Sequence, residues 1–366
     1  MQLLFINSIH PRKFGGGEKW MIKAAAGLTR AGHRVYVAGK PDSEILRAAG
    51  AAGVAARALP IHGDLDPVAT WRILRFLRHE RIDLVVCNLN KDVRVAGLAA
   101  RMAGFPVVIA RHGIQLCGKS WKHRLTLTRL TDGILTNTEA IRRAYASYGW
   151  FEPDFVRVIY NGIETKAQVR PLDFSREYPG KTVVLSAGRL AHQKGYPFLI
   201  EAAALLRDQD ELQFLVAGRG SEEGRLKAHV RRLGLESRFR FLGYLEDPDP
   251  ALAGCDCFVL PSLFEGMPNA VMEAMALGKA VILTDVNGAR ELVEHERSGL
   301  IVPPGDPAAL ATAIRRVAGD RELRARLGRE ARIRVQGQFT LEAMIGHLEA
   351  YFQAKIHEKR AASPRG

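Results

Sequence analysis

Two glutamates, Glu265 and Glu273, stand eight positions apart in the segment Pro261-Ser262-Leu263-Phe264-Glu265-Gly266-Met267-Pro268-Asn269-Ala270-Val271-Met272-Glu273. The apolar run Cys257 to Leu260 before it reads as a buried strand, and Ala270 to Leu277 reads as a helix. Gly266 and Pro268 mark the turn between them, and Pro268 or Asn269 can start the helix. A strand, a tight turn and a helix N-terminus together form a place for an anion. Free N–H groups point outward there and the helix dipole favours negative charge. Val271, Met272 and Met275 share one side of the helical wheel and Glu273 falls roughly opposite, so burial does not explain it. The ordinary reading makes Glu273 a first-turn carboxylate and Glu265 a solvated loop residue.

Other residues with chemical potential sit at similar places. Gly188-Arg189-Leu190-Ala191-His192-Gln193-Lys194-Gly195 follows the apolar run Val183 to Ala187 and brings two cations, Arg189 and Lys194, to a strand's carboxyl end. Two cations and a helix N-terminus suit a diphosphate, the dianion that departs when a sugar is transferred; a solvated basic loop is the alternative. Near the N-terminus, Gly15-Gly16-Gly17-Glu18 lies between a strand and a helix, where glycine lets backbone approach a phosphate. It lacks the spacing of a GxGxxG or GxxxxGK[ST] fingerprint. Arg111-His112-Gly113 follows the strand Val107 to Ala110, which puts His112 where substrate is met; a backbone-bonded strand-end histidine is the alternative.

The elements that must position these groups alternate along the chain. In the first half, strands are expected at Leu3 to Ile9, Arg34 to Ala38, Ile82 to Cys87, Val107 to Ala110, Gly133 to Thr136 and Val156 to Tyr160, with helices between. The pattern lapses between Glu164 and Lys181, where Pro171, Asp173, Pro179 and Gly180 break regular structure and suggest a linker. A second alternation runs from Val183 to Val302, followed by helices at Pro307 to Val317, Arg321 to Val335 and Leu341 to about Ile356. Such alternation predicts α/β architecture with parallel sheets covered on both faces.

At 366 residues the chain can form two domains with large cores. No run of about 18 apolar residues is present to span a bilayer, and no charged region precedes the strand at Gln2 to Ile6, so a signal peptide is not expected. Cys87, Cys117, Cys255 and Cys257 form no CxxC pair and read as reduced thiols. The net charge of +14 is uneven: residues 1–170 hold 26 Lys/Arg against 13 Asp/Glu, and residues 171–366 hold 27 against 26. An asymmetry of this kind concerns partners: a polyanion, an anionic membrane or a phosphorylated substrate.

Taken together the motifs resemble the retaining glycosyltransferases of family 4. The features match in order: Gly15-Gly16-Gly17-Glu18, His112, Asn161-Gly162-Ile163, Gly188-Arg189 with Lys194-Gly195, and Val216-Ala217-Gly218. Phe241-Leu242-Gly243-Tyr244, Pro261-Ser262, the paired glutamates and Gly299-Leu300-Ile301-Val302-Pro303-Pro304-Gly305-Asp306 complete the set. The match is dense in the C-terminal half and thin in the N-terminal half. The resemblance implies the GT-B fold: two Rossmann-like doubly wound lobes with a cleft between them, and a C-terminal helix crossing back to the first lobe. The expected division is 1–170 for the acceptor lobe, 171–338 for the nucleotide-sugar lobe, 339–358 for the returning helix and 359–366 for a disordered tail.

The same resemblance implies roles. Arg189 and Lys194 would bind the donor diphosphate, and Glu273 the ribose hydroxyls. Glu265 with the backbone of Gly266, Met267, Pro268, Asn269 and Ala270 would hold the donor sugar. Gly16 and Gly17 would close on the phosphates, His112 would touch the sugar near the reacting carbon, and the base would rest near Arg219 and Tyr244. Arg189, Lys194, Glu265 and His112 are the expected catalytic group. Transfer is expected to be retaining, with the departing phosphate taking the acceptor's proton, and to need no metal or other cofactor. Where the family often has Phe-Gly after the first glutamate and glycine, this chain has Met267-Pro268, and Pro268 removes one N–H from the sugar site.

Two Asp-x-Asp triplets, Asp64-Leu65-Asp66 and Asp247-Pro248-Asp249, have the letters of a metal-dependent sugar site but lie in turn contexts. A nucleotide-sugar 2-epimerase of the same fold and a nucleic-acid-binding protein using the basic half are the competing classes. The acceptor expectation rests on charge. Lys119, Trp121, Lys122 and Arg124, as loop residues after His112, with Arg12, Lys13 and Trp20 on the other rim, are basic groups interleaved with tryptophan, as suits an anionic interface. These point to a cytoplasmic enzyme docked peripherally on the inner membrane, acting on an anionic glycolipid or glycan such as a lipopolysaccharide core.

Overall fold

A computed structural model describes residues 1–113, 117–164 and 168–362. The chain divides into two units, Met1–Gly162 with Leu341–Gly366, and Ile163–Thr340. In the first unit the order is β1 (Gln2–Ile6), α1 (Gly16–Arg30), β2 (Arg34–Gly39), α2 (Glu44–Ala51), β3 (Ala55–Ala58), α3 (Pro67–His79) and β4 (Leu84–Cys87). It continues with α4 (Asn90–Ala103), β5 (Val107–His112), α5 (Trp121–Leu130), β6 (Gly133–Thr136), α6 (Glu139–Ala146) and β7 (Val156–Val158). The second unit runs β8 (Thr182–Ala187), α7 (Tyr196–Leu205), β9 (Leu212–Ala217), α8 (Glu223–Arg232), β10 (Phe239–Gly243), α9 (Asp249–Gly254) and β11 (Cys257–Leu260). Then come α10 (Asn269–Ala276), β12 (Ala280–Thr284), α11 (Ala289–Leu292), β13 (Leu300–Val302), α12 (Pro307–Gly319) and α13 (Arg321–Gln338). The last helix, α14 (Leu341–Ala362), belongs to the first unit.

The sheets have the orders β3-β2-β1-β4-β5-β6-β7 and β10-β9-β8-β11-β12-β13, all pairings parallel. Each unit is therefore a doubly wound, Rossmann-like sheet whose order reverses once, between β1 and β4 and between β8 and β11. Central strands such as Leu84–Cys87 and Cys257–Leu260 are buried on both faces, so they are apolar throughout instead of alternating.

In the first unit, α1, α2 and α14 cover one face of the sheet, and α3, α4, α5 and α6 the other. Helix α14 inserts Leu341, Met344, Ile345, Leu348, Phe352 and Ile356 into the core beside α1. The fit is close: a Cβ at Gly27 would lie 2.4 Å from the Ile345 Cδ1. Of the tail expected to be disordered, 359–366, the described residues 359–362 continue the helix, and 363–366 lie outside the described residues. Lys359 donates to the Pro106 carbonyl at 2.6 Å and pairs with Asp132 at 2.8 Å, and Arg360 pairs with Asp83 at 2.6 Å. These ties carry it through Ala362. The segment expected as a loop at Lys119 to Arg124 is likewise helical from Trp121, with Ser120 as a side-chain cap to the His123 N–H.

Candidate functional site

In an open parallel sheet the loops leaving the two strands at the order reversal diverge and leave a crevice at the carboxyl ends. In the second unit those loops are Gly188–Gly195 after β8 and Pro261–Pro268 after β11, the two stretches singled out in the sequence. They touch backbone to backbone. The Leu263 N–H donates to the Gln193 carbonyl at 2.8 Å. Gly195 holds φ +64°, and a Cβ there would lie 2.0 Å from the Pro261 carbonyl oxygen. On the other side, the Leu190 N–H donates to the Arg219 carbonyl at 3.0 Å, and a Cβ at Gly218 (φ +148°) would lie 1.9 Å from the Gly188 carbonyl oxygen. Glycine stands at both positions because neither backbone conformation nor space admits a side chain.

Lys194, at the end of a single 3₁₀ turn His192–Lys194, turns its ammonium onto the Glu265 carboxylate. The Ser262 hydroxyl donates to the same Glu265 oxygen at 2.8 Å, and the Thr284 hydroxyl at the end of β12 donates to the Ser262 carbonyl. Glu265 is 4% exposed, so it is not the solvated loop residue of the ordinary reading. It is a buried carboxylate held by a cation and a hydroxyl. Arg189, in the same loop as Lys194, is exposed, as are Arg219 and Tyr244 at the ends of β9 and β10. Gly266, Met267 and Pro268 are buried, while Asn269 and Ala270, the first residues of α10, are partly open. Glu273 lies on the second turn of α10, partly exposed, beyond the first turn where a dipole-capping carboxylate would sit.

The first unit carries its own polar cluster at the β1/β4 reversal. Gly16 and Gly17 open α1, one turn earlier than the glycine pattern suggested. Glu18, 5% exposed, accepts from the Gly15 N–H at 2.8 Å and from the Asn7 side-chain amide at 2.7 Å, which fixes the loop. A Cβ on Gly17 would sit 3.3 Å from the Asn88 amide nitrogen and 3.4 Å from an Arg111 guanidinium nitrogen. Arg111 ends β5 beside His112; it stacks over the Trp20 ring at 4.3 Å and donates to Asn88 at 3.4 Å. Burial pulls the Arg111 guanidinium down to about 10, so it remains a cation at neutral pH. Trp20 is therefore 4% exposed beneath Arg111 and not on a surface rim, a correction to the sequence expectation. Arg12, Lys13, Lys119, Trp121, Lys122 and Arg124 are exposed.

His112 is buried. Burial first, and the neighbouring Arg111 next, pull its imidazole down to about 4, and its Nδ1 shares a hydrogen bond with the Tyr145 hydroxyl. Tyr145 keeps its proton because burial pushes the phenol up. Asp92, in the first turn of α4, accepts from the Ser8 N–H at 3.2 Å and from its hydroxyl; burial pushes it up to about 6. Ser262, Tyr145, Arg111 and the Ser8–Asp92 pair were not foreseen as site groups. Only Ser262 and Arg111 had a signal, their adjacency to Pro261 and His112.

The Asp-x-Asp triplets have local duties. Asp66 caps α3 through the Ala69 N–H at 2.9 Å, Asp64 pairs with Arg94 at 2.6 Å, and Asp247 accepts from the Asp249 N–H at 3.1 Å. Among the described residues no group of three or more His, Cys, Asp or Glu side chains is arranged to hold a metal ion.

Two doubly wound parallel sheets, each with its loops gathered at the point where the strand order reverses, are the architecture of the GT-B fold. Residues 14–167 match the Glycosyltransferase Family 4 model, and residues 172–334 match the model of Glycosyl transferases group 1. The lipopolysaccharide core biosynthesis glycosyltransferase LpsE of Rhizobium meliloti is 34% identical over 234 residues. That match takes in 63% of this chain and 66% of LpsE, just under two thirds of that protein. EpsD of Bacillus subtilis is 30% identical over 303 residues, 76% of this chain and 79% of that one. The Anabaena HepE structure in complex with UDP superposes with a TM-score of 0.85 at 23% identity, covering 97% of this chain and 100% of that one. The chain belongs to the glycosyltransferases of this family.

Proposed function

We propose that this protein is a retaining, metal-independent glycosyltransferase. It moves a sugar from a nucleoside diphosphate sugar to an anionic glycolipid or glycan of the cell envelope, such as a lipopolysaccharide core. The observation that carries the donor half is the reversal point of the second unit. Arg189 lies open there beside the Lys194–Glu265 pair, on loops bound to one another through glycine. A diphosphate leaving group gains from cations placed where its charge develops. Arg189 and Lys194 supply them, Glu265 and the start of α10 orient the sugar, and Glu273 takes the ribose. The uridine form of the donor is supported by HepE, which was solved with UDP and with UDP-glucose.

His112 fits a sugar-contacting role in the first unit. Held neutral and anchored through Nδ1, it keeps Nε2 for a partner, and among the described residues Nε2 has none. The acceptor class is supported by the LpsE likeness and by the basic first unit. No helix among the described residues is long and apolar enough to cross a membrane. The attachment proposed for the basic first unit is peripheral, on the cytoplasmic face of the bilayer.

A thermal-shift screen of UDP, GDP, CDP and their sugars tests the donor, since a ligand of the native state raises the melting point by mass action. UDP release with a truncated lipopolysaccharide acceptor in excess EDTA tests transfer without metal, and the anomeric proton coupling of the product reports retention. No shift with any nucleotide would overturn the donor site; a β product from an α donor would overturn retention.

A further inference from the structure

We propose that the face of the first unit formed by α3, α4 and α5 is a docking surface for an anionic lipid bilayer. The three helices lie side by side on one side of the sheet. Their outward positions are unusual in two respects. The first is apolar exposure: on the helices Trp71 is 55% exposed, Met102 54%, Leu98 44%, Trp121 70% and Leu125 52%, and Leu65 in the loop before α3 is 87% exposed. Large apolar side chains clustered on a surface mark an interaction site, whereas scattered ones do not. Trp71, Leu98 and Met102 also line a groove of about 280 Å³ between α3 and α4.

The second is charge. Helix α3 carries Arg72, Arg75 and Arg78; α4 carries Lys91, Arg94 and Arg101; α5 carries Lys122, Arg124 and Arg129. Against these nine cations the three helices hold one acid, Asp92, and it is buried beneath Ser8. Arg94 and Arg101 are paired with Asp64 and Asp132 from flanking loops, while Arg72, Arg75, Lys122 and Arg124 stand exposed. The opposite face shows no such bias: α1, α2 and α14 hold five glutamates and seven Lys/Arg. Among these helices the excess positive charge thus lies mostly on the α3, α4 and α5 side.

Apolar side chains framed by arginine and tryptophan match the two layers of a bilayer surface. Headgroup phosphates meet the cations, the indoles sit at headgroup level, and leucine and methionine reach the acyl boundary. Trp71 and Arg75 are already stacked at 4.8 Å, and Lys122 lies 5.9 Å from the Trp121 ring. A second copy of the chain is a poor occupant, because it would set like-charged surfaces against each other. The inference extends the glycolipid-acceptor reading and is measured without it.

The experiment is sedimentation with vesicles of phosphatidylcholine alone and of phosphatidylcholine with about one-third phosphatidylglycerol. The full chain is expected to bind the second and not the first, and less as salt rises. Arg72→Glu/Arg75→Glu should weaken binding by about fivefold or more for each cation lost. Trp71→Ser/Leu98→Ser/Met102→Ser should weaken it while leaving its salt dependence in place. Melting temperature and the thermal shift with UDP are read on the same samples. If the apolar variant fails to fold, the arginine variant decides, since both of its side chains are exposed. Equal binding to both vesicles, binding to neither, or wild-type binding by the arginine variant overturns the proposal. So does a dimer in light scattering that the apolar variant dissolves. Lost vesicle binding with an intact UDP shift leaves the donor site standing; a lost UDP response with intact vesicle binding does the reverse.

Discussion

The Lys194 ammonium is bound to the Glu265 carboxylate, 71 positions along the chain, and the Ser262 hydroxyl shares the same oxygen. With side chains 17% and 5% exposed, this is a largely desolvated pair. Removing one partner of such a pair strands the other charge and typically costs about 3–5 kcal/mol, whereas replacing both is far milder. Lys194→Ala is therefore expected to lower stability as well as transfer. Lys194→Met/Glu265→Gln should restore most of the melting point and none of the activity. A double variant as unstable as the single one would show that the pair does not govern this loop.

Gly195 is the geometric counterpart of that pair. Its left-handed backbone alone would cost alanine roughly 1–2 kcal/mol, and the added Cβ would meet the Pro261 carbonyl at 2.0 Å. Gly195→Ala should therefore lower the melting point by about 5 °C or more and push the two donor loops apart. Loss of the UDP shift should accompany it. Gly224→Ala on α8, where nothing lies within 4 Å of the added carbon, is the control and should be neutral or slightly stabilising.

The parts of this molecule that were legible in its sequence are those fixed by local pattern. Doubly buried strands such as Cys257–Leu260 leave continuous apolar runs, and strand-end glycines mark the loops that follow. Strand β3 was missed because it is a sheet edge of mostly exposed Ala and Arg residues. Helix α5 was taken as a loop because its threonines and basic residues give little amphipathic contrast. Trp20 was placed on a rim by its charged neighbours, although its spacing of four with Ala24 and Leu28 puts it on the core stripe of α1. The Lys194–Glu265 pair, the Arg111–Trp20 stack and the Lys359–Asp132 tie join residues far apart in the chain, and spacing carries no trace of them.

His112 makes stability depend on pH in a definite direction. Its imidazole is lowered from 6.5 to about 4 in the folded chain. The unfolded chain therefore binds a proton first as pH falls, and the stabilisation present above about 6.5 is lost on the way to 4. The shift corresponds to roughly 3 kcal/mol. Asp92, raised from 3.8 to about 6, acts oppositely: stability from its neutral form is lost as pH rises through the same interval. The raw profile of the wild type between pH 4 and 6.5 should thus be flatter than either group alone would give. Subtracting the profile of His112→Gln removes the Asp92 contribution. The advantage of wild type over the variant should shrink as pH falls from 6.5 to 4; a constant difference across that range would mean that His112 is not held neutral by the fold.

Arg189 and Glu273 should separate chemistry from binding. Arg189 is exposed, so its substitution should leave the melting temperature nearly unchanged; Glu273 is partly exposed. If Arg189 neutralises the diphosphate as the bond to the sugar breaks, its contribution grows toward the transition state. Arg189→Ala is then expected to lower kcat by about 10²–10³-fold, the usual loss for one such donor. Its effect on the apparent affinity for UDP should be smaller. If Glu273 holds the ribose, it binds substrate and transition state alike. Glu273→Ala should then raise KM for the donor with kcat little changed, which is the signature of lost uniform binding. UDP release measured over a donor titration reads both constants. Equal kcat for wild type and Arg189→Ala would remove Arg189 from the leaving-group site, and a kcat effect without a KM effect in Glu273→Ala would move that carboxylate from the ribose toward the reacting centre.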